Sequence, residues 1–362
     1  MNGFKAPVAR ELLRPTEETV VLPWERLRTA LTAHGHELDS AWEPRQFAGG
    51  YGNLNFLIRM DGDWAVLRRP PFGEIPKGAN DMGRENRVLR VLAPVWKLVP
   101  AALFFCENPE PFDAPFLISE FRRGLPLHGS KPLGDELSPQ RAELLSRIQI
   151  DVLAQLHRFE VGKIGAEKLG RPDGFGARTL SGWKNRFEQM GATSKPGMAL
   201  FEWLEREFVE SSRLCVIHND FKLDNLVLDP TTLEPRAVLD WDMATLGAPF
   251  FDLATLLSYW IGPEDPISLH HINHTHSLAK GALDRRELVE CYVNATGFAS
   301  PQDERQLHYF LTLALAKLGV VYMQLFRRYQ DKPEENVRYE KFGAVVDDVF
   351  ELGIKAAGRR LV

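Results

Sequence analysis

Residues 218–225 read His218-Asn219-Asp220-Phe221-Lys222-Leu223-Asp224-Asn225, and 15 residues after Asn225 comes Asp240-Trp241-Asp242. Runs of strand formers surround both pieces: Leu214–Ile217, Leu226–Leu228 and Ala237–Leu239. Acids and amides at the ends of such runs can be aimed into one cleft. Phosphoryl transfer asks for this kind of set, because the protein mainly positions groups and neutralises charge. A carboxylate must orient and deprotonate a hydroxyl, which suits Asp220. Oxygen ligands must hold Mg²⁺ while leaving positions for water and nucleotide phosphates, which suits Asn225 and Asp240. Lys222, two residues past the base, can meet the transferring phosphate.

Upstream the texture is different. Gln46–Phe47, Leu54–Met60 and Trp64–Arg68 are strand-like, with Asp61-Gly62-Asp63 as a turn. A helical stretch around Met82–Leu92 follows, then strand-like Ala102–Cys106 and Phe116–Phe121. Before them, Trp24, Leu27 and Leu31 recur at helical spacing after Pro23, with Gly35 as a stop. Beyond Arg122 the pattern becomes helical: Arg141–Phe159, Phe250–Trp260, Arg285–Ala295, Gln306–Arg328 and Tyr339–Ala357. The predicted fold is α+β with two lobes: an extension over 1–43, a small β-rich N-lobe over 44–121 and a larger, mainly helical C-lobe over 122–362.

The 362 residues are 44% hydrophobic and 26% charged, which favours folded lobes over disorder. A net charge of −5 argues against a surface that coats nucleic acid. Cys106, Cys215 and Cys291 form no CxxC pair, so a reducing, cytoplasmic compartment is expected. No apolar leader is read at the start of the chain. Phe310–Phe326 is about one membrane span long, but Lys317 interrupts it, and a buried helix is the better expectation.

HNDFKLDN is similar to the HRDLKPEN-type loop of protein kinases. With LDWDMATLGAPFFDLA after it, including Gly247-Ala248-Pro249 and Asp252-Leu253-Ala254, the chain more closely resembles the aminoglycoside and choline phosphotransferase superfamily over approximately residues 44–345. The resemblance implies a protein-kinase-like fold, ATP and Mg²⁺ as cofactors and a small-molecule hydroxyl as acceptor. By it Asp220 is the base, Asn225 and Asp240 hold the metal, and His218 and Asp252 brace the loop. The nucleotide site would be Gly49-Gly50-Tyr51-Gly52-Asn53 over the phosphates, Arg68 where the family strand offers lysine, and Glu85 as its partner. Arg69 could share the phosphate-gripping task. Backbone groups near Glu120 and Phe121 would meet adenine at a hinge. Arginine for lysine is a departure, since the two grip phosphate differently.

VLRRPPFG, LDWDMATLG and GVVYMQLFRR resemble the branch related to the kinase domain fused to some acyl-CoA dehydrogenases, which implies a hydroxyacyl-CoA acceptor. HND in place of that branch's usual HGD is a second departure. Helices after the metal aspartate would build the acceptor pocket. His270, His271, His274 and His276 lie close together, but no companion ligand stands at metal spacing, so solvated histidines are expected. Competing readings are a nucleotide-binding pseudokinase or scaffold, an aminoglycoside- or choline-type kinase, a protein kinase and a hydrolase. The protein kinase is disfavoured by Trp-Asp where DFG would stand, and the hydrolase by the lack of a GxSxG elbow.

Overall fold

The computed structural model describes residues 7–8, 12–49, 52–73, 80–108, 110–127, 137–171, 173–273 and 275–362. Along the chain come α1 (Trp24–Thr32), β1 (Arg45–Gln46), β2 (Leu54–Met60), β3 (Asp63–Arg69), α2 (Met82–Leu92), β4 (Ala102–Cys106), β5 (Phe116–Glu120) and β6 (Leu125–Pro126). Then follow α3 (Pro139–His157), α4 (Phe175–Gln189), α5 (Lys195–Arg206), β7 (Cys215–Ile217), β8 (Leu226–Leu228), β9 (Pro235–Val238), β10 (Thr245–Gly247) and α6 (Pro249–Tyr259). The chain ends with α7 (Ile267–His270), α8 (Arg285–Thr296), α9 (Pro301–Asp331), α10 (Pro333–Asn336) and α11 (Val346–Ala357). These elements form the α+β, kinase-like architecture expected. They gather into two compact units, residues 1–127 with 224–244, and residues 128–223 with 245–362.

The first unit is built on an antiparallel sheet of order β1-β2-β3-β5-β4. Alternation along β2, β3 and β5 sends Phe56, Ile58, Leu67, Phe116 and Ile118 into one core. Leu27 and Leu31 of α1 are fully buried in that core, and Trp24 meets Phe56 and Phe112 edge-on at 5.2 and 5.9 Å. Burying each leucine contributes about 1.5–3 kcal/mol, so α1 is an integral part of the sheet's packing. A small second sheet, β6-β8-β9, belongs to the same unit. Gly124, at φ +151°, lets the chain run close to β8, because a Cβ there would lie 2.5 Å from a methyl of Val227.

The second unit is mainly helical around α9, with β7 and β10 paired antiparallel. Ser300 caps α9 in a reciprocal capping box with Asp303, and Pro301 occupies its first turn. Among the described residues α9 is the one helix long and apolar enough to cross a membrane, and 78% of its most apolar window is buried within the fold. Packing against α6 and α11 accounts for that apolarity. The terminal stretch expected as one helix, Tyr339–Ala357, is a 3₁₀ segment over Val337–Ala344 followed by α11. The bend lets Phe342 stack on Tyr322, with ring centroids 4.5 Å apart.

Candidate active site

In the first unit, antiparallel register brings the two expected metal residues together. Leu226 pairs with Val238, and the Leu239 N–H donates to the Asn225 carbonyl at 2.8 Å. Asn225 therefore lies just before β8, beside the end of β9, with Asp240 two residues beyond β9. Asp240 adopts a left-handed conformation, φ 68° and ψ 59°, so the chain turns sharply into a 3₁₀ turn at Trp241–Met243.

Arg68, near the end of β3, reaches Asp240 through Nη2 at 2.6 Å and Glu85 of α2 through Nε at 3.0 Å. The residue that replaces the expected lysine thus makes the expected ion pair and bridges to Asp240 as well. Arg68 and Glu85 are both buried. Burial works against the Arg68 charge, but Glu85, Asp240 and Asp242 outweigh it and hold its pKa above the ordinary arginine value. Burial pushes the Glu85 carboxyl up, with Arg68 opposing.

Asp242, which sequence reasoning left without a role, lies against the same group. It accepts from Asn53 Nδ2 at 3.3 Å, and Asn53 accepts from Asn80 at 2.8 Å. Burial first, then the charges of Asp240 and Glu85, push its pKa up to about 7. Asp240 and Asp242 offer carboxylate oxygens beside Arg68, with the Asn225 backbone held at the neighbouring strand end; oxygen ligands of this kind fit Mg²⁺. Among the described residues no three His, Cys, Asp or Glu side chains could hold a metal by themselves.

Of the expected nucleotide-loop residues, Gly49 and Gly52 are exposed and Asn53 is half-buried. Gly50 lies outside the described residues. The Glu120 carboxylate accepts from Arg122 at 2.9 Å and the Ala101 N–H at 3.2 Å, and the Glu120 N–H donates to the Ala101 carbonyl at 2.9 Å. Phe121 follows β5 directly. Buried Arg69 faces Phe72, its guanidinium 4.1 Å from the ring centroid.

In the second unit, Asp220 stands on a braced turn. The fully buried Asp252, in the first turn of α6, accepts from the His218 N–H at 2.6 Å and the Asn219 N–H at 2.7 Å. Burial alone would raise the Asp252 pKa, yet contacts with His157 and His218 bring it below the ordinary value. His157 Nε2 is 3.2 Å from Asp252, and its Nδ1 is 2.6 Å from the Tyr292 hydroxyl. His218 is itself fully buried, and its Nδ1 accepts from the Asp220 N–H at 3.3 Å. It positions the loop rather than meeting substrate. Lys222 Nζ donates to Asp220 Oδ2 at 2.8 Å and lies 5.2 Å from the Tyr259 ring centroid.

Lys317 is a further residue whose role the sequence concealed. Its Nζ donates to the Asn219 carbonyl at 2.8 Å. A lysine inside an apolar run was the available signal, because such a charge needs a buried partner.

Two of the four histidines make structural contacts, whereas His271 is exposed as expected. His270 Nε2 lies 3.1 Å from the Gly262 carbonyl. His276 packs on Trp260 and contacts the Ala142 carbonyl and Ser146, and burial lowers its pKa to about 4. His274 lies outside the described residues. Beside Tyr259, an apolar hollow is lined by Ile272, Leu315, Leu318, Tyr322 and Leu352.

Comparison with known proteins agrees with this geometry. The profile of the phosphotransferase enzyme family (APH) matches residues 43–288. Acyl-CoA dehydrogenase family member 10 of Mus musculus is 30% identical over 268 residues, 73% of this chain and 25% of that protein. Acyl-CoA dehydrogenase family member 11 of Gallus gallus is 28% identical over 324 residues, 87% of this chain and 40% of that protein. The chain thus spans a quarter to two-fifths of these relatives' length. A structure from Ralstonia eutropha JMP134 assigned as an aminoglycoside phosphotransferase has a TM-score of 0.73 at 24% identity, covering 94% of this chain and 99% of that one. Spectinomycin phosphotransferase, solved with ADP and spectinomycin, has a TM-score of 0.57 at 12% identity, covering 94% and 99%. With its family profile spanning most of the chain, this protein belongs to the phosphotransferase enzyme family and shares the fold of the solved phosphotransferase structures.

Proposed function

We infer that this protein moves the γ-phosphate of ATP to a hydroxyl of a small metabolite in a reducing, cytoplasmic compartment, and that the acceptor is a hydroxyacyl-CoA. The observation that carries the reading is the braced turn of residues 218–220, which presents one carboxylate, Asp220, with Lys222 against it. Asp220 orients the acceptor hydroxyl and takes its proton as the new P–O bond forms and the bond to ADP breaks. Lys222 offsets charge on the phosphate in transit. Asn225 and Asp240 would hold Mg²⁺, with Asp242 beside them, and the ion when bound supplies charge neutralisation for the nucleotide phosphates. Arg68 supplies the fixed cation paired with Glu85, which weighs against a pseudokinase explanation of the missing lysine.

One observation supports an acyl acceptor: the curated relatives bear acyl-CoA dehydrogenase names. Because the chain matches only part of those relatives, the test is direct: an ATP-consumption screen over 3-hydroxybutyryl-CoA and longer hydroxyacyl-CoAs, choline, aminoglycosides and sugars. Turnover of the hydroxyacyl-CoAs that Asp220→Ala abolishes, with ATP binding retained, is expected. Turnover surviving that substitution would refute the base. Preference for an aminoglycoside or choline would refute the acceptor, and ATP binding without consumption of any acceptor would favour the scaffold.

A further inference from the structure

Lys317 lies midway along α9, in the most apolar part of the helix, and is 6% exposed. Its stem is packed among aromatic rings, with Nζ 5.4 Å from the Phe251 centroid and 6.0 Å from that of Trp183. A leucine would fill such a place without the cost of desolvating an ammonium, which amounts to several kcal/mol in protein interiors. The lysine therefore needs a reason beyond packing. Its hydrogen bond supplies one: Nζ donates to the Asn219 carbonyl at 2.8 Å.

Asn219 is one of the non-glycine residues in the left-handed region, at φ 67°. That conformation persists where surrounding contacts over-determine it. Here they do. The Asn219 N–H is held by Asp252, its carbonyl by Lys317, and the N–H of the next residue by His218 Nδ1. The last two groups belong to one peptide unit, the one from which the Asp220 Cα departs. Burial lowers the Lys317 pKa, while the nearby charges of Asp220 and Asp252 oppose that shift and Lys222 adds to it.

We propose that Lys317 is a positioning residue of the transfer reaction, holding the Asn219–Asp220 peptide so that the Asp220 carboxylate meets the acceptor hydroxyl at the productive angle. The inference rests on Asp220 being the base. It adds an anchor from a helix nearly a hundred residues downstream, outside the loop's own sequence motif. Misplacing a reacting group by an ångström costs up to a hundredfold in rate, whereas the nucleotide-gripping residues Arg68 and Glu85 lie in the other compact unit. Loss of Lys317 should consequently act on kcat and spare ATP affinity.

The experiment compares wild type, Lys317→Met, Lys317→Gln and Asp220→Ala in an ADP-release assay with Mg–ATP. It is run with 3-hydroxybutyryl-CoA as acceptor and separately with water as acceptor. K317M is expected to lower kcat roughly tenfold to a hundredfold with the KM for ATP within about twofold of wild type. K317Q, a neutral N–H donor one bond shorter than lysine, is expected to recover part of the loss. Hydrogen exchange over residues 215–222 should be faster in K317M than in K317Q. A K317M kcat within about twofold of wild type, with D220A inactive, overturns the inference alone. Equal losses in K317M and K317Q with a matching fall in Tm mark a packing residue and overturn it too. Wild-type turnover in D220A overturns instead the assignment of the base. Should K317M not fold, Lys317→Leu serves in its place.

Discussion

Arg68 answers to three carboxylates. Its Nε faces Glu85 and an Nη faces Asp240, while Asp242 acts through space. A planar guanidinium can address two carboxylates along separate N–H directions, whereas an ammonium is a point charge. This geometry explains how arginine serves where the family resemblance expects lysine. It also makes the position fragile. Arg68→Met would leave Glu85 buried without its cation and is expected to destabilise the protein by about 3–5 kcal/mol, read from the urea midpoint. The double variant Arg68→Met/Glu85→Leu should regain part of that loss, since it removes the most deeply buried orphaned charge while Asp240 and Asp242 remain. Full additivity in this cycle would show that the pair is not coupled. At the same scale, Asn219 and Asp240 both adopt positive φ beside functional side chains, where backbone strain is tolerated because it aims a group.

At the scale of elements, α9 carries much of the second unit. Its 31 residues span about 46 Å and pack on α6 and α11. Gly319, two residues past Lys317, permits close approach to α11: a Cβ there would lie 2.5 Å from the Phe350 ring, and Phe350 is fully buried. Gly319→Ala is expected to cost about 1–3 kcal/mol by overpacking, despite alanine's better helix propensity. Adding Phe350→Leu should return part of it, with thermal melts as the measurement. Elements also differed in how visible they were beforehand. Helices with long amphipathic stripes, such as α3 and α8, declared themselves by periodicity. Both α4 and α5 escaped notice. Phe175-Gly176 and Lys195-Pro196-Gly197 read locally as breakers, yet Pro196 falls at the permissive start of α5 and Ser194 caps it. Gly197 is needed there because Phe187 lies where its Cβ would be.

For the whole molecule, two compact units are assembled from a chain that leaves the first, builds part of the second, and returns. Residues 224–244 complete the first unit although they follow most of a helical segment, and they deliver Asn225, Asp240 and Asp242 to Arg68 and Glu85. If that set grips Mg–ATP, the nucleotide must stabilise the native state by mass action. Saturation at a hundred times Kd is expected to add about 2.7 kcal/mol, seen as a rise in Tm that EDTA removes. A rise indifferent to EDTA would exclude the metal from the grip. The linear sequence determined the kind of fold, because strand-forming runs with turn residues followed by long amphipathic stripes leave few alternatives, and it singled out the polar residues at the ends of those runs as the candidate site. It determined most long helices too, since burying one face imposes a periodic pattern. Only tertiary structure decided that Arg68 bridges Glu85 and Asp240, that Asp242 crowds the same group, that His270 and His276 meet backbone carbonyls, and that Lys317 anchors Asn219. Arg68 and Asp240, for one, are 172 positions apart. No local pattern encodes them, because what selects each partner is the cost of leaving a buried charge or polar group unmatched in three dimensions.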